Sequence, residues 1–146
     1  MSGCLPKLRL VHFSDVYELR NLPRLQTFLA REKPSAVILG GDFLSPSALS
    51  ALDGGKGMVA TLRAIGVTHA ILGNHEADLP LNVLEQRLSK LSRNVSLVNS
   101  NITMPHQDAP WFSKLLKPHD IILSPCQRVR VALGGFMSDE PGVFRY

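Results

Sequence analysis

Three polar segments each follow an apolar run, and each contains side chains of the kinds that bind divalent cations. Asp15, Asp42 and the pair Asn74-His75 come at or just after the point where their apolar run stops. Carboxylate, amide and imidazole groups are the usual protein ligands of cations such as Mg²⁺, Mn²⁺ and Zn²⁺. The order of these segments predicts a metal site assembled from three loops.

The elements that would position these loops are short strands alternating with amphipathic helices. Four to six apolar residues bounded by Gly, Asp or Asn are typical of buried strands, and Leu at helical spacing is typical of a helix against a core. Between 103 and 118, prolines and polar residues favour a loop. The predicted strands are 8–13, 36–39, 67–72, 96–98, 121–123 and 129–133, and the predicted helices are 22–33, 58–65 and 80–91.

Strand followed by helix, three times in succession, predicts an α/β fold with a sheet buried under helices. In such folds ligands gather beyond the carboxyl ends of the strands. Neighbouring strands lie about 4.8 Å apart, so three adjacent strand ends can surround one or two cations. Two cations about 3.5–4 Å apart must share a ligand, and the carboxylate of Asp42 is the natural bridge.

Longer stretches around these residues resemble a known family. Residues 13–19 (FSDVYEL), 40–47 (GGDFLSPS) and 73–78 (GNHEAD) are similar to the first three signature blocks of the calcineurin-like metallophosphoesterases, and most similar to the 5′-nucleotidase branch. Residues 97–102 (LVNSNI) resemble the strand that follows in that branch. The resemblance implies a layered α-β-β-α sandwich, of which residues 1–146 would be the N-terminal half, a partial metallophosphoesterase catalytic domain.

The resemblance also implies a role for each matching residue. Asp15 matches a ligand of the first metal, Asp42 the bridging carboxylate, and Asn74 an amide ligand of the second metal. His75 matches the histidine that stabilises or protonates the leaving group, and Asp78 the carboxylate that orients it. The implied reaction is hydrolysis of phosphate monoesters, nucleotides in particular, by a metal-bound hydroxide at two divalent ions such as Mn²⁺, Zn²⁺, Fe or Mg²⁺.

Two departures from the family pattern favour other possibilities. Tyr17 stands where the family usually has a histidine, and the later Gly-His and Gly-His-x-His blocks are absent. Three protein donors do not saturate two divalent ions, so we expect this chain to bind metal weakly and its parent enzyme to continue past Tyr146. The alternatives are a catalytically inactive binding or regulatory module on the same fold, and an α/β domain whose loops are plain turns. Asp78 is also a candidate N-cap of the next helix.

Composition excludes several classes of protein. With 45% hydrophobic and 19% charged residues, the chain is typical of a globular domain and unlike a disordered one. Its apolar runs are far shorter than a membrane span, and the first ten residues lack a signal peptide, which predicts a cytoplasmic protein. The net charge of +4 is compatible with an anionic substrate. We expect a small phosphate ester as partner, and no nucleic acid.

Overall fold

The computed structural model describes residues 7–104 and 107–144. Within these two ranges the chain forms seven strands and five α-helices, with short 3-10 turns at Leu19–Asn21, Asn74–Asp78 and Pro141–Val143. The strands are β1 (Leu10–Phe13), β2 (Ala36–Leu39), β3 (His69–Ile71), β4 (Ser96–Val98), β5 (Leu116–Lys117), β6 (His119–Leu123) and β7 (Arg130–Gly134). The helices are α1 (Leu22–Glu32), α2 (Ala48–Asp53), α3 (Lys56–Ala64), α4 (Leu81–Leu91) and α5 (Phe112–Leu115).

The first five strands form one parallel sheet in the order of the sequence, β1-β2-β3-β4-β5. Phe13 is paired with Leu39, and Leu39 with Ala70, so β1, β2 and β3 end at nearly the same level. Strands β6 and β7 form a separate antiparallel pair. The loops after β1, β2 and β3 therefore leave the same edge of the sheet side by side.

Strand β2 is buried on both faces, and its alternating side chains enter two different cores. Val37 and Leu39 belong to the large core beneath the helices. Ala36 and Ile38 point the other way and pack with Ile122 of the β6–β7 pair. Helices, parallel sheet and second sheet thus form successive layers, which confirms the predicted layered α/β fold.

Most helix ends agree with the local sequence signals. Helix α1 begins after Asn21, although the Asn21 side chain makes no capping hydrogen bond. It ends at Glu32, and its C-cap Lys33 has a left-handed φ of 46° just before Pro34. Helix α4 begins after Pro80, whose backbone is extended. Asp78 lies in the preceding 3-10 turn, so its interpretation as the N-cap of α4 is wrong.

The prediction of a loop over 103–118 is also wrong. Phe112–Leu115 forms α5, and Leu116–Lys117 forms β5, which pairs with β4 through Leu97 and Leu116. Trp111 and Phe112 are buried in the large core. Elements this short have almost no intrinsic stability, so the contacts with the core select them rather than the local sequence pattern.

The longest helices, α1 and α4, have 11 residues each. A bilayer crossing takes about 20 apolar residues. In the part of the chain that the structure describes, no helix has the length and apolar character to span a membrane.

Candidate metal centre

Asp15 and Asp42 lie at adjacent strand ends, in loops that are hydrogen-bonded to each other. The backbone N–H of Asp15 donates to the carbonyl of Gly41 at 3.2 Å, and Val16 N–H donates to the carbonyl of Asp42 at 3.0 Å. Both aspartates have a left-handed backbone with a φ of 57°. This conformation is uncommon outside glycine and is concentrated at functional sites, where surrounding contacts maintain it. The two loops therefore form one rigid unit that carries both carboxylates.

The third loop is joined directly to Asp42. Oδ1 of Asp42 accepts a hydrogen bond from the backbone N–H of His75 at 2.9 Å. Gly73 makes this approach possible, because a Cβ at that position would overlap Oδ1 of Asp42. Gly41 has a φ of +103°, and a Cβ there would lie only 2.6 Å from the N of Gly73. Glycine at both positions is thus a steric requirement for bringing the second and third loops together.

Glu76 is a buried residue whose side chain is hydrogen-bonded to the backbone of the second and third loops. Its side chain is 1% exposed, and its carboxylate accepts four backbone N–H groups. Oε2 accepts from Asp42 at 2.9 Å and Gly73 at 2.7 Å, and Oε1 accepts from Phe43 at 2.8 Å and Leu44 at 3.0 Å. Burial raises the pKa of Glu76, and the four N–H donors oppose this by favouring the carboxylate. Glu76 consequently holds the backbone on both sides of Asp42.

Tyr17 lies in the first loop and is hydrogen-bonded to Asp15. Its hydroxyl donates to Oδ1 of Asp15 at 3.1 Å. Burial, this hydrogen bond and the negative charges of Asp42, Asp15 and Glu76 raise the pKa of Tyr17 to about 12. The phenol is therefore protonated at neutral pH in this structure, and Tyr17 acts on Asp15 as a hydrogen-bond donor.

His75 and Asp78, both in the third loop, form a hydrogen-bonded pair. Nδ1 of His75 lies 2.9 Å from Oδ2 of Asp78, and the two side chains are 21% and 12% exposed. The hydroxyl of Ser45 donates to the same oxygen at 3.1 Å. The ring of Tyr17 meets the imidazole edge-on, with centroids 6.0 Å apart. An Nδ1–H donated to Asp78 leaves Nε2 of His75 as the nitrogen that can accept or deliver a proton.

The side chain of Asn74 is hydrogen-bonded to the C-terminal part of the chain. Its side-chain Nδ2 donates to the carbonyl of Val143 at 2.7 Å, which fixes the amide and directs its oxygen away from that contact. In residues 7–104 and 107–144, no three His, Cys, Asp or Glu side chains form a group that could hold a metal ion. Because Asn74 contributes an amide, the predicted set of Asp15, Asp42 and Asn74 is not a group of this kind. Its binding of metal stays a prediction.

The chemistry of these residues nevertheless fits a divalent cation. Two carboxylates stand on adjacent rigid loops, and the charges of Asp15, Asp42 and Glu76 all act on the Tyr17 hydroxyl in the same direction, so the local potential is negative. Hard cations prefer such oxygen-rich, negative surroundings. Two carboxylates and an amide would still leave coordination positions of the cations to water or to other groups.

The predicted site did not include Glu76 or Ser45 in any role. Glu76 comes three residues after Gly73, the spacing at which an acidic side chain returns to the start of a helical turn, and this was the available signal. Ser45 contacts Asp78 across 33 positions of sequence, and no local pattern indicates it.

Comparison with known proteins assigns the chain to a family. The family model for calcineurin-like phosphoesterases matches residues 8–126. A comparison with curated protein sequences finds no match. Among solved structures, the fold is similar to that of the NAD nucleotidase of Haemophilus influenzae, with a TM-score of 0.75 and 20% sequence identity over 93% of this chain and 27% of that chain.

A 5′-nucleotidase precursor from Thermus thermophilus has a similar fold, with a TM-score of 0.73 and 18% identity over 90% of this chain and 28% of that chain. This chain therefore spans little more than a quarter of the length of either structure. At such low identity these two likenesses establish the fold. Because the family model covers residues 8–126, most of the sequence, the chain belongs to the calcineurin-like phosphoesterase family.

Proposed function

We propose that this chain carries part of the active site of a metal-dependent phosphoesterase that hydrolyses phosphate monoesters, nucleotides in particular. Asp15, Asp42 and Asn74 would hold two divalent cations, and His75 with Asp78 would assist the leaving group. In this proposal residues 1–146 form part of one catalytic domain. The observation that carries it is the bonded unit of the first two loops, which presents Asp15 and Asp42 at neighbouring strand ends of a calcineurin-like fold.

Each residue has a distinct task in the proposed reaction. Divalent cations, when bound, would neutralise the phosphate oxygens and activate a water molecule. His75 would donate a proton from Nε2 to the leaving oxygen, and Asp78 would hold the imidazole through Nδ1 at 2.9 Å. Ser45 in turn fixes the oxygen of Asp78 that contacts the imidazole. The 5′-nucleotidase precursor of similar fold supports a nucleoside 5′-monophosphate as the substrate class.

The test is phosphate release from adenosine 5′-monophosphate by the purified chain at millimolar Mn²⁺, a concentration chosen because three donors bind metal weakly. We expect Asp42→Asn to remove activity, since the amide that replaces the carboxylate has one ligand oxygen and no charge. Asp108→Asn, which alters an exposed acid outside the site, should retain activity. Activity that survives Asp42→Asn would contradict the assignment.

A catalytically inactive binding module is the second candidate, because the hydroxyl of Tyr17 already binds Oδ1 of Asp15. Titration calorimetry separates the two. Mn²⁺ uptake that is weakened by Asp42→Asn would support the enzyme, whereas Mn²⁺ uptake that Asp42→Asn leaves unchanged would favour the inactive module.

A further inference from the structure

Five basic side chains surround a pocket in the helical layer. The pocket has a volume of about 330 Å³, and two apolar residues of α3 complete its lining. No acidic residue contributes to it. The basic residues are Lys56, Arg63, Arg87, Lys90 and Arg93, which we call the cationic pocket.

The helix geometry explains how these residues meet. Lys56 and Arg63 are seven positions apart on or near the same face of α3, and Arg87 and Lys90 are three apart on α4. Arg93 follows three positions later, just after the end of α4. Like charges brought together by two neighbouring helices repel each other, so an anion among them would stabilise this arrangement.

Arg87 provides a second, independent observation, because it is only 4% exposed. Its Nε donates to the carbonyl of Gly54 at 2.6 Å, and its Nη2 donates to the carbonyl of Asp53 at 3.4 Å. These contacts with carbonyl groups at the C-terminal end of α2 satisfy Nε and Nη2 of the guanidinium. Nη1 is buried and has no hydrogen-bond partner among the residues that the structure describes. A buried donor without an acceptor is unfavourable, and because Arg87 also lines the pocket, a small movement of its guanidinium would let an anion there accept from Nη1.

The acids that the structure describes form no ion pairs with the cationic pocket. The carboxylate of Asp53 is engaged by the backbone N–H groups of Gly55 and Gly57, both at 2.7 Å. Arg63 donates through Nε to the neutral side chain of Asn94 at 2.9 Å. Across the two described ranges, no ion pair joins any of the five cations to an acid.

We propose that the cationic pocket binds a small anion with several linked phosphates, such as inorganic triphosphate or the phosphate chain of a nucleoside triphosphate. Guanidinium groups match phosphate oxygens through paired N–H donors. One phosphate monoester carries a charge of only about −1.5 to −2, which is much less than the five positive charges, so a chain of phosphates matches them better. The pocket shares no residue with the proposed metal centre.

Titration calorimetry with inorganic triphosphate tests this proposal. The full chain is first freed of divalent metal with a chelating resin and then titrated in metal-free buffer, which keeps the metal centre out of the measurement. Lys56 and Lys90 are exposed, so the double variant Lys56→Gln/Lys90→Gln keeps the fold and should bind at least tenfold more weakly. Arg87 is left intact, since its replacement would also remove the donors to Asp53 and Gly54.

The control variant Arg24→Gln/Lys114→Gln removes two exposed charges elsewhere and should bind like the unmodified chain. Triphosphate should also raise the melting temperature of the unmodified chain more than that of Lys56→Gln/Lys90→Gln. Equal losses in both double variants, or no binding at millimolar triphosphate, would overturn the proposal.

Two further ligands define the chemistry of the site. Inorganic phosphate and citrate should each bind more weakly than triphosphate, because the first has fewer charges and the second lacks phosphate oxygens. Citrate that binds as tightly as triphosphate would overturn phosphate recognition. A single-stranded oligonucleotide that binds more tightly than triphosphate, and loses that affinity in Lys56→Gln/Lys90→Gln, would overturn the small-molecule assignment in favour of a nucleic acid.

Discussion

The buried carboxylate of Glu76 accepts a hydrogen bond from the backbone N–H of Asp42 at 2.9 Å. The two residues are 34 positions apart, and the contact fixes the loop that carries the proposed bridging ligand. The same carboxylate binds the N–H of Gly73, at the start of the third loop. The geometry of the candidate site therefore depends on a buried acid that is not among the predicted metal ligands.

Replacement of Glu76 by Gln should destabilise the fold. Glutamine offers one acceptor oxygen where the carboxylate serves four N–H donors, so at least one buried donor loses its partner. We expect the free energy of unfolding to fall by about 1–3 kcal/mol, measured by urea denaturation. Glu85→Gln on α4 is the matched control and should change it by less than about 0.5 kcal/mol. Equal stability of Glu76→Gln and the unmodified chain would show that the hydrogen bonds do not anchor the loops.

Gly73→Ala should perturb Asp42 directly. The added methyl group overlaps Oδ1 of Asp42, so the carboxylate must move or the loop must shift. We expect Mn²⁺ affinity to fall at least about tenfold, equivalent to about 1.4 kcal/mol. Gly142→Ala adds a methyl group with no atom within 4 Å and should leave Mn²⁺ affinity unchanged. Unaltered Mn²⁺ binding by Gly73→Ala would place the metal away from Asp42.

Asp78→Asn should separate turnover from metal binding. The change keeps the size of the side chain but removes the charged acceptor that holds Nδ1 of His75. On adenosine 5′-monophosphate we expect kcat to fall about 10- to 100-fold, in the range found when a partner that orients a functional side chain is removed. Mn²⁺ affinity from calorimetry should stay the same. A parallel loss of kcat and metal affinity would indicate a structural role for Asp78.

Asp120 should make the stability of the fold depend on pH in acid. Burial raises the pKa of Asp120, but hydrogen bonds from Ser96, Lys117 and the N–H of Ile121 outweigh it and lower the pKa to about 2. Folding therefore favours the ionised form. Its contribution to stability is complete above the ordinary pKa of 3.8 and is lost as the pH falls towards 2.

The variant Asp120→Asn tests this dependence. At pH 7 we expect it to be less stable than the unmodified chain by about 1 kcal/mol, a value reduced for solvent screening. Urea midpoints measured from pH 6 down to pH 2 should converge below about pH 4 as the carboxylate becomes protonated. The variant Asp139→Asn, at an exposed position, should run parallel to the unmodified chain. A difference for Asp120→Asn that is constant across this range would refute the assigned pKa.

The pattern of apolar residues predicts those elements of the fold whose own residues are buried along their length. The predicted bounds of β2, 36–39, agree with the observed strand, because all four residues are buried and glycines follow at once. Strand β5 has two residues and no pattern of its own, and it exists because Leu116 fills the core beside Leu97. The sequence between 103 and 118 contains no signal for that contact.

The candidate site likewise has one part that the sequence predicts and another that it does not. The order of strands and loops is enough to place Asp15 and Asp42 at neighbouring strand ends. The anchoring role of Glu76 depends on donors 32 to 34 positions earlier in addition to Gly73, and the contact between Asn74 and Val143 spans 69 positions. Such relationships arise only after the chain has folded, so single-sequence reasoning misses them.

The most direct test of the metal centre is anomalous diffraction from crystals of the chain grown with Mn²⁺. We predict an anomalous peak at about 2.0–2.6 Å from carboxylate oxygens of both Asp15 and Asp42, the usual range of cation–oxygen distances. The peak should be lost in Asp42→Asn. A peak bounded by other residues, with Asp15 and Asp42 free of metal, would contradict the proposed metal centre.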